Sequence, residues 1–418
     1  MKNKWSKFGE RLSRPTGAAE LMEDLGLVAA LKNNVLLLGG GNPGNIPEIQ
    51  VLIRNRLAEI AVSESSSISM FGSYSHPKGD IEFRKGLASL LESEYGWSLT
   101  SENILLTNGS QTGFFLLFNL LAGEFSDGGF KKILLPVTPE YIGYTDVGLS
   151  DHMFVSYRPE IEEISERIFK YRVNFDALQI GNDIAAICVS RPTNPTGNVI
   201  TDQELRKLDE LARDAGIPLV IDSAYGLPFP NIMFTEATPL WNDNVIMTMS
   251  LSKLGLPGIR TGIIIAKEEL IGAMSNITAV HSLAVSSAGP VIVQPWIDSG
   301  EIIEISRHHV VSFYKNKLQI ACEILKRELD GVPFKVHVPE GAFFLWLWLP
   351  DLPITSHELY KRLKEKKVFV MSGHHFFPGL EHKWQHQDEC LRLSYSQDDD
   401  VVAAGLKIVC EEIRKLYV

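Results

Sequence analysis

Lys253 stands in the stretch SLSKLGLPGIRTG, Ser250 to Gly262, directly after the apolar run NVIMTM. A lysine in that place is a solvated charge unless its neighbours make it a reactive amine. Four other places in the chain supply such neighbours. Short apolar runs lead into Asn108, Gly109, Ser110 and Gln111; into VTPEYIGY, which carries Tyr141; into RPTNPTGN, which carries Asn194; and into Asp222, with Tyr225 close behind. Each alone reads as a turn, a helix cap or a core tyrosine. Placed together at the carboxyl ends of strands, where open parallel sheets bind their ligands, they read as one site.

The chemistry of that site follows from its donors. NGSQTG opens a helix with small residues, which leaves backbone N–H groups and the positive end of the helix dipole for an anion. Arg260, with Ser250 and Ser252, adds charge-assisted donors to the same phosphate. Asp222 suits a protonated ring nitrogen, Asn194 and Tyr225 a ring oxygen, and Tyr141 a ring face. Lys253, desolvated beside cationic groups, forms a Schiff base with an aldehyde. A phosphate, a pyridinium, a phenolic oxygen and an aldehyde together describe pyridoxal 5'-phosphate.

The elements that must position these groups are visible in the pattern. The runs NILLT, KKILLP, AAICVS, IPLVID, NVIMTM and GIIIA alternate with amphipathic stretches, the signature of an α/β unit with a parallel sheet wrapped by helices. In TDQELRKLDELARDAG, Thr201 and Glu204 have capping-box spacing and Gly216 marks the stop. After about residue 300 a long helical stretch leads into FKVHV, AFFLWLWL, the helix SHELYKRLKEK, then VFVMS and CLRLSYS, which predicts a smaller α+β unit joined by residues near the N-terminus. The expected division is an N-terminal arm over 1–50, a large cofactor-binding domain over 51–300 and a small domain over 301–418.

Composition narrows the function classes. A chain of 418 residues, 45% hydrophobic, is ordinary globular material, and a net charge of -11 argues against a nucleic-acid partner. Cys188, Cys322, Cys390 and Cys410 lie far apart with no CxxC pair, so neither a disulfide framework nor a thiolate metal site is expected. The N-terminal residues have no apolar core of a secretory signal, and no run reaches membrane-spanning length, which leads to the expectation of a cytoplasmic protein acting on small molecules, with no membrane partner.

With NPTG, DSAYG and SLSKLGLPGIRTG in order, the sequence resembles the fold type I, class I pyridoxal-phosphate aminotransferases. LGGGNP, LTNGSQ, PEYIGY, CVSRPTNPTGNVITD, PEGAFFLWLW and FFPGL extend the resemblance over nearly the whole chain. It implies a large domain with a mostly parallel seven-stranded sheet plus a smaller α+β domain. It also implies Lys253 as the Schiff-base lysine and proton shuttle, Asp222 on the pyridine nitrogen, and Asn194 with Tyr225 on the phenolic oxygen. Tyr141 would stack on the ring, while Gly109, Ser110, Gln111, Ser250 and Arg260 would hold the phosphate. Tyr74 would reach the phosphate of a neighbouring subunit, so a homodimer is implied. Arg392 in CLRLSY would grip the substrate carboxylate as a bidentate fork, helped by the Gly41 backbone and by Asn194. L-Valine with pyruvate is the expected substrate pair.

Two departures from the pattern, Ser223 in DSAYG and Ser372 in VMSGHHFF, touch no group assigned chemistry but bear on substrate choice. Phe343, Phe376 and Phe377 are the candidate walls of the side-chain pocket. His382, His386 and Cys390, spaced by four with His374 and His375 nearby, have the spacing of zinc ligands on one helix face. The surrounding sequence is poor helix, so a polar loop beside the site is expected and no metal. A C–S lyase or decarboxylase would keep the cofactor and change the reaction. A ligand-binding regulator would need a basic DNA-binding segment, which the chain lacks, and a cofactor-free Schiff-base aldolase would have no use for the phosphate-binding set.

Overall fold

The computed structural model describes residues 5–30 and 35–417. Its larger sheet has eight strands, in the order Ile104–Asn108, Thr261–Ile265, Val245–Ser250, Leu219–Asp222, Ile184–Ser190, Phe130–Leu135 and Gly123–Glu124, with Phe154–Ser156 also paired to Phe130–Leu135. Thr261–Ile265 and the two-residue Gly123–Glu124 run antiparallel to their neighbours, and the remaining pairs are parallel. The expected seven strands are present, and Gly123–Glu124 is an added edge. Every residue of Ile184–Ser190 is buried, as a strand covered by helices on both faces requires.

The helices start where the sequence places them. Helix Asp202–Asp214 begins on a full capping box between Thr201 and Glu204, and Gly216 takes a left-handed φ of 65° just beyond its end. Helix Ser110–Leu121 begins directly after strand Ile104–Asn108 and has no side-chain cap. The N–H groups of its first turn therefore face the carboxyl edge of the sheet without an internal partner.

A second sheet of six strands runs Met371–Ser372, Cys390–Ser394, Phe344–Trp348, Lys335–His337, Ile168–Arg172 and Glu160–Ser165. Its last two strands come from the middle of the chain, so this sheet is not drawn from the chain ends alone. Helices Val311–Glu328 and Asp399–Arg414 pack together beside it, and Lys317 Nζ ties them by donating to Gln397 O at 2.7 Å and to Asp399 Oδ1 at 2.6 Å. Leu36–Leu37 pairs in parallel with Val368–Phe369, which joins the N-terminal segment to this part of the fold. Leu38 continues the ladder by donating to Phe369 O and accepting from Ser394 N, and the chain then crosses the site through Gly39 to Gly41.

Among the described residues no helix is long and apolar enough to cross a membrane.

Candidate active site

The carboxyl ends of the large sheet bring the expected residues to one place. Lys253 follows strand Val245–Ser250 in a short helical turn, Ser252–Leu254, and its Nζ donates to Gly41 O at 2.6 Å. The rings of Tyr225 and Phe343 lie 5.2 and 5.6 Å from that nitrogen. Burial, followed by the charges of Arg392 and Arg260, pulls the ammonium down to about 7 against the opposing charge of Asp222. A lysine so placed supplies a neutral, nucleophilic amine near neutral pH.

Asp222 ends its strand as a buried carboxylate with three donors. Tyr144 Oη donates to Oδ2 at 2.7 Å, Ala224 N to Oδ1 at 2.9 Å, and Thr248 Oγ1 to Oδ1 at 3.3 Å. Burial raises its pKa, while these donors and Lys253 oppose the rise. Tyr144 is the residue the sequence reading missed. It lies fully buried, wedged edge-on against Phe114 and Phe118, with ring centroids 4.9 and 5.4 Å away. Tyr141, three residues earlier in the same loop, meets Tyr144 edge-on at 5.3 Å and lies half-buried at the site.

That loop is anchored by a second buried carboxylate, also missed. Glu140 accepts from Ser190 N at 2.8 Å, from the Ser190 hydroxyl, and from Tyr141 N at 3.1 Å. Its own N–H donates to Phe376 O, which ties the Tyr141 loop to the other sheet. Burial pushes the Glu140 carboxyl up to about 8, above the usual range, in spite of these hydrogen bonds.

The anion end of the site is a backbone cradle. Gly109 has φ +86°, and a Cβ there would fall 2.3 Å from Arg260 Nη2. A Cβ on Gly262 would fall 2.5 Å from Ser110 N. Both contacts require glycine, because any side chain would fill the space in which Arg260 and the helix N-terminus converge. Ser250 Oγ accepts from Ser252 N at 3.1 Å and lies 3.5 Å from Thr261 O, while Thr261 Oγ1 is buried with no hydrogen-bond partner. Gln111 reaches across to the Tyr141 loop, its Nε2 donating to Gly143 O at 2.8 Å, and its Oε1 is likewise buried and unpartnered.

Arg392 is contributed by the smaller sheet, from strand Cys390–Ser394, and is 1% exposed. Nη1 donates to Asn194 Oδ1 at 2.7 Å and Nη2 to Gly39 O at 2.5 Å, while Nε is buried and unpartnered. Its guanidinium lies 4.3 Å from the Phe344 ring and 5.1 Å from Phe376. Burial lowers its pKa to about 10, so it stays charged at neutral pH. Asn194 is held by a rigid loop in which Arg191 donates to Ile200 O, Thr238 O and Asp202 Oδ1, and Gly197 leaves no room for a Cβ against Gly341 O.

Of the three candidate pocket walls, Phe343 approaches Lys253 and Phe376 approaches Arg392, whereas Phe377 packs on Trp346 and Trp384. Tyr74 is 89% exposed and stands apart from this set within the single chain. His382, His386 and Cys390 do not share a helix face. His382 is exposed, His386 is buried in a short turn, Gln385–Asp388, against Tyr171 and Trp384, and Cys390 begins a strand with its Sγ 3.6 Å from His386 Nε2.

An amine with a depressed pKa, a buried carboxylate, an anion cradle and a buried arginine define a site for a carbonyl cofactor and an acidic substrate. Residues 33–409 match the model of the aminotransferase class I and II family, and the chain belongs to that family. Its cofactor is pyridoxal 5'-phosphate, and the fit is visible in the glycine-lined cradle, where the Arg260 guanidinium and the uncapped N-terminus of helix Ser110–Leu121 converge. The chain is 48% identical over 415 residues to the valine–pyruvate aminotransferase of Escherichia coli (strain K12), covering 99% of both. It is similar in structure to a putative amino-acid aminotransferase from Psychrobacter arcticum 273-4, with TM-score 0.97, 43% identity and 99% of each chain covered. It is also similar to the valine–pyruvate aminotransferase AvtA from Salmonella typhimurium LT2, with TM-score 0.87, 46% identity, and 96% of this chain and 99% of that one covered.

Proposed function

We propose that this aminotransferase moves an amino group between L-valine and pyruvate, giving 3-methyl-2-oxobutanoate and L-alanine. The observation that carries the reading is the full-length 48% identity to the Escherichia coli enzyme of that name. The site agrees with it. Arg392 offers one buried cation for a carboxylate, and the surroundings of Arg392 and Lys253 are the rings of Phe343, Phe344 and Phe376, which suit a small apolar side chain.

In this reading Ser110, Gln111, Ser250 and Arg260, with the Gly109 backbone, hold the cofactor phosphate. Asp222 holds the ring nitrogen, Asn194 and Tyr225 the ring oxygen, and Tyr141 the ring face. When bound, pyridoxal phosphate supplies an electron sink for the charge left on the substrate's α-carbon. Lys253 would take the proton from that carbon and deliver it to the cofactor's aldehyde carbon, a task for which an amine with a pKa near 7 is matched. Tyr144, Thr248 and the Ala224 N–H keep Asp222 oriented. Arg392 and the Gly41 N–H orient the substrate carboxylate. In this reading residues 51–300, apart from strands Glu160–Ser165 and Ile168–Arg172 that complete the smaller sheet, form the unit that holds the cofactor, and 301–418 with the N-terminal 1–50 form the unit that brings Arg392 and Gly41 to it.

The reading includes a homodimer in the cytoplasm, with Tyr74 completing the neighbouring site. Exposed Val62, Ile68, Phe71, Tyr74, Val280 and Leu283 support it, because so many large apolar side chains in these two stretches suit a covered face.

The test is a half-reaction screen, in which purified enzyme is mixed with single amino acids and its visible absorbance is followed. Valine and alanine should convert the cofactor to its amine form, and aspartate should not. Valine with pyruvate should then yield alanine in stoichiometric amount. Conversion by aspartate but not valine would overturn the substrate assignment, and turnover without stoichiometric alanine would indicate a C–S lyase or another reaction on the same cofactor.

A further inference from the structure

Three imidazoles meet outside the site just described. His357 lies in the first turn of helix Ser356–Glu365, and His374 and His375 lie in the turn Gly373–Phe376 that follows strand Met371–Ser372. One ring nitrogen from each falls within 4.8 Å of the other two. The ring centroids of His374 and His375 are 3.9 Å apart, and those of His357 and His374 are 5.2 Å apart.

The hydrogen-bond inventory leaves lone pairs for a further ligand. His357 Nδ1 is buried with no partner. His374 Nδ1 meets Ser372 Oγ at 3.1 Å, which leaves Nε2 for coordination. His375 Nε2 lies 3.4 Å from Glu20 Oε2, and a carboxylate behind an imidazole is the usual arrangement that fixes a metal-bound histidine. Tetrahedral Zn–N bonds of about 2.0–2.1 Å set donor nitrogens about 3.4 Å apart.

We propose that His357, His374 and His375 form a binding site for a divalent transition metal of the zinc, nickel and copper class, with Glu20 supporting His375. The donor set is all imidazole nitrogen, which suits these ions and not magnesium or calcium. This trio differs from the one that sequence spacing suggests, because the turn Gly373–Phe376 and the helix carrying His357 meet only in three dimensions.

The position gives the metal a consequence. Glu20 belongs to helix Gly17–Ala30, which is already held to helix Ser356–Glu365 by Asp24, through Tyr360 Oη at 2.6 Å and Lys364 Nζ at 2.6 Å. A Cβ on Gly17 would fall 2.6 Å from His375 Nδ1 and 3.0 Å from Ile142 Cδ1, so the start of that helix sits between the histidines and the Tyr141 loop. A bound metal ties these three segments at one point, next to Phe376 and the arginine it covers.

The test uses the intact enzyme with its cofactor, stripped of metal by a chelator and dialysed. Titration with Zn2+ against a chromophoric chelator should show one ion per chain, and Co2+ should give the intense visible bands of a tetrahedral site. His357→Ala and His375→Ala should each weaken Zn2+ binding at least tenfold while leaving the cofactor absorbance unchanged. Melting temperature should rise with Zn2+ in the unaltered protein and not in the double variant. Absence of the Co2+ bands in the unaltered protein overturns the proposal without recourse to any variant. Zn2+ binding that persists at full strength in the double variant overturns it equally.

Discussion

Tyr144 donates its hydroxyl to Asp222 Oδ2 at 2.7 Å from a fully buried position, so the two tyrosines of PEYIGY serve opposite sides of the same site. Tyr141 lies at the site itself, and Tyr144 steadies the carboxylate from behind. Tyr144→Phe keeps the ring and removes the donor. A hydrogen bond to a charged group contributes about 1.5–3 kcal/mol, so kcat should fall roughly tenfold or more. Asp222 should also titrate higher, which would move the pH dependence of the cofactor absorbance. Unchanged kcat together with an unchanged absorbance profile would show that Asp222 does not depend on Tyr144.

Gly109→Ala tests the anion cradle. The added Cβ meets Arg260 Nη2 at 2.3 Å and the residue must hold φ +86°, so both the arginine and the loop have to shift. Cofactor affinity should drop at least tenfold, measured by titrating the stripped enzyme with pyridoxal phosphate. The circular dichroism spectrum should stay that of the folded protein. Full cofactor affinity in this variant would remove Arg260 and the helix N-terminus from the phosphate site.

Arg392→Lys tests the planar fork. Lysine keeps the charge but cannot serve Asn194 Oδ1 and Gly39 O together, and it loses the flat contact with Phe344. KM for both the amino acid and the oxo acid should rise at least tenfold, with the cofactor absorbance intact. Equal KM values in variant and parent would place the substrate carboxylate elsewhere.

Glu140 gives a prediction in pH. Its carboxyl is raised to about 8 in the folded protein, so between the ordinary carboxylate range and pH 8 the folded state holds a proton that the unfolded chain has released. This group therefore makes the protein less stable as pH rises through that window. Glu140→Gln does not titrate, so its melting temperature relative to the parent should climb from pH 5 to pH 8. A difference that stays flat, or falls, across that range contradicts a raised Glu140.

Much of this site is legible because its chemistry sits at strand ends, where apolar runs stop and polar residues begin. Lys253, Asp222 and Asn194 are each the first or nearly the first polar groups after such a run. Tyr144 is not legible, since Tyr141 in PEYIGY is the same residue type and only the turn Ile142–Tyr144 decides which ring goes inward, and Glu140, a lone acid in a turn, gives no sign in the sequence of its burial against Ser190. Strands Glu160–Ser165 and Ile168–Arg172 escape the pattern because the outer one is an exposed edge rich in glutamate, with no buried face to impose alternation. The spacing of His382, His386 and Cys390 suggests a helix face, but a short turn and a strand start intervene, so the period of four carries no meaning there.

The hydrogen bond from Arg392 Nη1 to Asn194 Oδ1 joins a residue of the smaller sheet to one that, in the proposed assignment, also holds the cofactor ring oxygen. In that assignment one amide touches both the substrate's arginine and the cofactor ring. A substrate carboxylate that draws on the guanidinium weakens its hold on Asn194, and the altered amide changes the polarity felt at the ring edge. The grip on the substrate and the electronics of the ring are, in that assignment, coupled through the side chain of Asn194.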